Sequence, residues 1–123
     1  MGLDQYGFRV KANAVKNDLS FVSGDDTHSE LYYWRKVPRL QGWMENLYRE
    51  KGGTKEFNCE FVRLEEDDLD KLEADVKNHK MPETVGFFFG CHYEEDMESV
   101  LDFIEMAREV IRQGDAVYYS SWW

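Results

Sequence analysis

Residues 96–123, DMESVLDFIEMAREVIRQGDAVYYSSWW, change their repeat across a single glycine, and that change decides the fold class. From Met97 to Gln113 the apolar positions Met97, Val100, Leu101, Phe103, Ile104, Met106, Ala107, Val110 and Ile111 follow the 3.6-residue spacing of a helix. Their arc is wide, so this helix is expected to be the most buried one. Asp96 is placed to cap its start, and Gly114 can take the left-handed conformation that ends it. From Ala116 onward the repeat is two, with Val117, Tyr119 and Trp123 on one side and Tyr118 and Trp122 on the other. That is the pattern of a strand.

The same two repeats alternate along the rest of the chain. Tyr6, Phe8, Val10 and Ala12 alternate with Gly7, Arg9, Lys11 and Asn13, predicting a half-buried strand. Residues 16–30 carry turn-forming residues and few large apolar groups, and read as a long loop with room for one short strand. Pro38 suits the first turn of a helix because its missing N–H has no partner there. Val37, Leu40, Trp43, Met44, Leu47 and Tyr48 make one apolar face, and Gly52-Gly53 ends it. Phe57, Cys59 and Phe61 predict a second strand. A second helix follows over Leu69, Leu72 and Val76, with carboxylates at its start, Lys77 and Lys80 at its end, and Pro82 to stop it. Gly86-Phe87-Phe88-Phe89-Gly90 reads as a short buried strand. The expected architecture is one α+β domain over residues 1–123: a four- to five-stranded mixed sheet with three helices packed mainly on one face. Some connections are expected to be parallel crossovers.

The chain has 123 residues, enough for one core without disulfides or a metal. Its four Trp, seven Tyr and eight Phe supply much of that core, since each aromatic ring can bury about 150–250 Å². The net charge of −10 is lopsided. Residues 1–64 hold ten Lys/Arg and nine Asp/Glu, whereas residues 65–123 hold five and sixteen. Such a chain repels phosphate, which argues against general nucleic-acid binding and against an anionic membrane surface. With two cysteines far apart, no leader and no long apolar run, a reducing cytoplasmic setting is expected.

Few chemical motifs stand out. There is neither GxxxxGK[ST] nor GxGxxG, so no phosphate-binding loop is expected. Cys59, Cys91, His28, His79 and His92 lack the close paired spacing of a zinc site, and neither metal nor cofactor is expected. Cys91 beside His92 could supply a nucleophile and base, yet a buried cysteine beside a surface histidine is the commoner arrangement. No catalytic residue is assigned, and the chain leans away from enzymes. Binding is better supported. Tyr33 and Trp34 offer aromatic faces, and Arg35, Lys36 and Arg39 offer cations suited to phosphate or carboxylate. Aromatic and arginine side chains are also what protein interfaces favour. Glu94, Glu95, Asp96 and Glu98 form an acidic cluster. Trp122 and Trp123 must either close the core or expose an apolar patch.

Three blocks carry a resemblance: YYWRKVPRLQGWMENLY (32–48), VGFFFG (85–90) and DFIEMAREVIRQGDAVYYSSWW (102–123). They resemble a family of small acidic proteins of tailed bacteriophages and prophages, over residues 32–123. Members are sometimes labelled phosphoglycerate kinase; this chain is far too short for that two-domain enzyme and lacks a nucleotide motif. The resemblance implies a viral accessory role in the host cytoplasm and carries over no catalytic residue.

The expected function is binding to a host or phage protein, with the acidic cluster and the exposed aromatics as the interface. The alternative is a binder or enzyme for a small anionic ligand, a nucleotide or phosphate, held in a pocket beside residues 32–39. A third expectation is a homodimer joined through the terminal strand.

Overall fold

The structure is a computed structural model. It describes residues 3–22, 24, 26–82 and 93–123, with the backbone alone of Tyr93. Among these residues six strands and three α-helices follow one another: β1 (Asp4–Val10), β2 (Val15–Asn17), β3 (Ser20–Phe21), β4 (His28–Arg35), α1 (Pro38–Glu50), β5 (Phe61–Leu64), α2 (Glu66–Lys77), α3 (Tyr93–Arg112) and β6 (Ala116–Trp122). The fold is α+β, as the alternating repeats predict. Four strands form one sheet in the order β4-β1-β6-β5, and β2 and β3 form a separate hairpin. Every described strand pair is antiparallel, where a mixed sheet was expected. The chain reverses direction at each pass through the helical layer, so no described strand needs a parallel crossover. The reading of residues 86–90 as a strand lies outside the described residues, as do Cys91 and His92.

The terminal strand β6 lies in the middle of the sheet, between β1 and β5. Both its edges are occupied, so it cannot join two copies by strand pairing, and the expected dimer through this strand is corrected. Val117 and Tyr119 point into the main core with Trp34, Val62, Leu64 and the apolar faces of all three helices. Ala116 and Tyr118 point the other way, into a smaller cluster with Val10, Ala14 and Phe21. The alternation read in residues 116–119 is therefore the alternation between two faces of the sheet.

Helix α1 matches the sequence reading closely, from Pro38 in its first turn to the residues before Gly52. Helix α2 opens with a capping box: the Glu65 side chain accepts from the backbone of Asp68, whose side chain accepts from the backbone of Glu65. Helix α3 starts at Tyr93, so Asp96 lies inside the helix and does not cap it. Two ion-pair clusters lock the helices. Lys51 Nζ, just past α1, donates to Asp68 at 2.7 Å and to the Arg63 carbonyl at 2.7 Å, so one ammonium ties α1, β5 and α2 together. Arg108 of α3 donates to Asp70 at 2.7 Å and Glu73 at 3.0 Å of α2.

Hydrogen bonds from Arg108 and Lys77 hold the Glu73 carboxyl below its usual range. A depressed acid contributes stability above its unfolded-state value, and that contribution is lost as the pH falls through the folded-state value. Glu73→Gln is expected to cost less than about 1 kcal/mol at neutral pH and to flatten the acid limb of the stability curve. Urea titrations from pH 3 to 7 measure this; an unaltered acid limb contradicts it.

Candidate functional site

Among the described residues, one face of the sheet lies under the helices and the other is largely bare. On β1 the residues alternate: Gln5 and Gly7 turn toward the helical layer, and Asp4, Tyr6 and Phe8 toward the opposite face. Cross-strand register then assembles that opposite face from distant parts of the chain. Asp4 pairs with Arg35 on one side and with Trp122 on the other. Tyr6 pairs with Tyr33 and with Ser120, and Ser120 pairs with Phe61. Phe8 lies opposite Tyr118.

One end of this face is roofed by the β2–β3 hairpin. Phe21 packs its ring 4.9 Å from Phe61 and 5.0 Å from Tyr118, and the Tyr118 hydroxyl donates to the Asn17 and Ser20 carbonyls. The roof stops there. Beyond it Tyr6 stacks on Phe8 at 5.8 Å and leans on Tyr33 at 5.4 Å. Tyr33 is 44 % exposed and Trp122 is 65 % exposed. The Tyr33 hydroxyl donates to Asp4 at 2.6 Å, and that bond pushes the phenol above its usual range. By register Asp4 and Glu30 share this face with Arg35 and Arg63, two charges of each sign. The bare face is thus a nearly neutral aromatic surface on a strongly acidic chain.

The sequence-derived site residues do not gather in one place. Tyr33, Arg35 and Trp122 share the bare face. Trp34 does not: it is 4 % exposed, its ring meets Phe103 at 4.9 Å, and its Nε1 donates to Ser99 at 3.0 Å. It belongs to the core, because neighbours on a strand point to opposite faces. Lys36 is exposed and takes a left-handed φ of 58°, making the turn from β4 to α1. Arg39 lies in the first turn of α1. Trp123 is half exposed and anchored: its Nε1 donates to the Phe57 carbonyl at 2.8 Å, and its backbone pairs with the Asn58 side chain in both directions.

Glu94, Glu95 and Glu98 are exposed, and Asp96 half-buried, at the start of α3. That helix packs under Trp34, on the helical side of the sheet. The acidic cluster and the bare aromatic face are therefore on opposite sides of the sheet, and a single interface built from both is corrected. Tyr6, Phe8 and Phe61 belong to the face, although the sequence marks them only as strand positions. Their period of two shows that they share a side, but not that the side is left open.

A cleft of about 140 Å³ lies between α1 and α2, against Trp43, Asp75 and Lys80, and none of residues 32–39 lines it. Cys59 is exposed, in a left-handed turn with φ of 62°. Among the described residues no group of three His, Cys, Asp or Glu is arranged to hold a metal ion, and no helix is long and apolar enough to cross a membrane. The chain matches no family model, no curated protein and no solved structure.

Proposed function

We propose that this chain is a phage-type accessory protein of the host cytoplasm that works by binding a host or phage protein through the bare sheet face, without catalysis. The observation that carries this reading is exposed Tyr33 and Trp122 flanking half-buried Tyr6, aromatics brought together by register on a face that no described helix covers. Large aromatic side chains set in a rigid sheet lose little entropy on binding, which is why tyrosine and tryptophan dominate interface hot spots. The face is close to neutral while the chain carries −10, so the occupant it fits is a protein with an apolar ridge rather than a polyanion. The acidic surface of α2 and α3 keeps the free protein soluble and steers a basic partner at a distance.

The test is affinity capture from host lysate with three forms of the chain. Wild type is expected to retain a stoichiometric partner. Trp122→Ala is expected to lose it, with at least about tenfold weaker binding, as for a hot-spot tryptophan. Reversing Glu94, Glu95 and Glu98 to lysine is expected to leave the contact in place, because those residues lie on the other side of the sheet. Equal retention by Trp122→Ala overturns the reading. In parallel, nucleotides and inorganic phosphate are expected to leave the melting temperature unchanged; a stabilising shift would favour the small-ligand alternative.

A further inference from the structure

We infer that two copies of this chain pair edge to edge through β4, in a two-fold antiparallel register centred on Tyr33. The strand edge used here borders the bare face, and the pairing does not depend on the protein-binding reading above.

Strand β4 is eight residues long and, among the described strands, stands at the end of the sheet with β1 on one side. Lys36 donates its N–H to the Leu3 carbonyl at 2.8 Å. In an antiparallel ladder the peptide groups alternate in direction. Trp34 and Tyr32 therefore turn theirs toward β1, and Arg35 and Tyr33 turn theirs outward. Among the described residues, no backbone hydrogen bond joins residues 29–35 to any segment other than β1. The strand holds no proline and no lysine; its guards against unspecific pairing are the charges Glu30 and Arg35 and the bulge, and Ser29, Glu30, Tyr33 and Arg35 are exposed.

The two charges on this edge suit a second copy. In a two-fold pairing the strand meets its own reverse, so residues on either side of the axis face each other. With Tyr33 on the axis, Arg35 lies opposite Leu31 and beside Glu30 of the second copy, and the contact occurs twice. Residues 30 and 35 are an odd number apart, so in a regular strand they would point to opposite faces. Here they do not. The ladder slips between Gly7 and Phe8, so that Tyr32 pairs with Gly7 while Glu30 pairs with Phe8, and Leu31 is the extra residue of a bulge. Phe8 and Tyr6 share the bare face, so their partners Glu30 and Tyr33 share it as well, together with Arg35. The bulge thus sets both charges on one face, where self-pairing brings opposite signs together. Among the described residues neither Glu30 nor Arg35 has an ion-pair partner within the chain.

Sedimentation equilibrium on the full chain over micromolar to millimolar concentration tests this. Wild type is expected to reach twice the 14.6 kDa chain mass. Arg35→Glu sets Glu against Glu in both copies, and the dissociation constant should rise by roughly tenfold or more. The swap of Glu30→Arg together with Arg35→Glu should restore it. Trp122→Ala should leave it unchanged, because that residue lies on the far side of β1. Far-UV circular dichroism checks that each variant is folded; both substitutions are on exposed positions. A wild type that stays monomeric, a dimer indifferent to Arg35→Glu, or a charge swap that fails to restore association would each overturn the proposal.

Discussion

Replacing Gly7 with alanine is expected to destabilise the fold by roughly 3 kcal/mol, the upper range for overpacking a core. A Cβ at this position would lie well inside contact distance of Cε1 of Phe103. Neither side can yield cheaply. Gly7 is hydrogen-bonded into the centre of the sheet, with β4 on one side and β6 on the other. Phe103 is fully buried, and its ring is wedged edge-on against Trp34 at 4.9 Å and Tyr32 at 6.0 Å. The contact joins α3 to β1, and the missing Cβ is what lets the Phe103 ring lie against the strand backbone. Urea unfolding gives the magnitude, and a double-mutant cycle identifies the cause. Adding Gly7→Ala to Phe103→Leu should cost much less than adding it to wild type, because the smaller side chain vacates the clash. Equal costs in the two backgrounds would assign the effect to backbone entropy instead.

The second large effect is expected at Gln5, a fully buried polar side chain in the middle of the main core. Its amide nitrogen donates to the Val37 carbonyl at 3.0 Å and to the Tyr119 hydroxyl at 2.9 Å. Its amide oxygen accepts the Val37 N–H at 2.8 Å. Tyr119 in turn donates to Gln41 at 2.7 Å. Burial pushes the Tyr119 phenol far above its usual range, so it stays a neutral donor at any physiological pH. Gln5 therefore acts as a clamp: it joins β1, the left-handed turn after β4, the start of α1 and the centre of β6. Gln5→Ala removes the clamp and leaves the Val37 N–H without its partner. A loss of about 2–4 kcal/mol is expected, from an orphaned buried donor plus a cavity. Gln5→Glu keeps the shape but faces a carboxylate toward the Val37 carbonyl. Its folded-state pKa would be raised by burial, so its stability should be retained at low pH and lost as the pH rises. A Gln5→Glu variant equally stable at pH 4 and pH 8 would contradict the arrangement.

Much of the fold is legible in the sequence because the helices carry their own punctuation. Pro38 and Gly52 bracket α1, and Gly114 divides α3 from β6. Strand β4 is the main omission. Leu31, Tyr32, Tyr33 and Trp34 are consecutive large apolar residues with no alternation, and the bulge at Leu31 breaks the period that would have marked a strand. The segment was therefore expected to be a binding lead-in, although half of it is core. The second strand was expected from Phe57, but regular pairing begins at Phe61, because Cys59 takes a left-handed φ that no strand residue has. Strand direction was not legible at all. A period of two says that a strand is half-buried, not which way its neighbours run.

The candidate face was legible only in pieces. Tyr33 and Trp122 stand out in the sequence for their chemistry, but nothing local places them on the same side of the sheet. That follows from β1 lying between β4 and β6, a pairing of residues more than a hundred positions apart in the chain. The acidic run at the start of α3 had equal standing in the sequence. Its separation from the aromatics is decided by which side of the sheet α3 packs on.

The most direct test of the proposed function is site-specific photo-crosslinking in the host cell. A benzophenone amino acid is placed at position 122, on the bare face, or at position 106, where Met106 is 42 % exposed on α3 in the helical layer. Both positions are exposed, and the benzophenone keeps an aromatic ring at position 122, so neither the fold nor the aromatic contact is removed. A protein partner on the bare face is expected to give one discrete heterologous adduct from position 122 and none from position 106. An adduct from position 106 alone, or from neither position, would contradict the account.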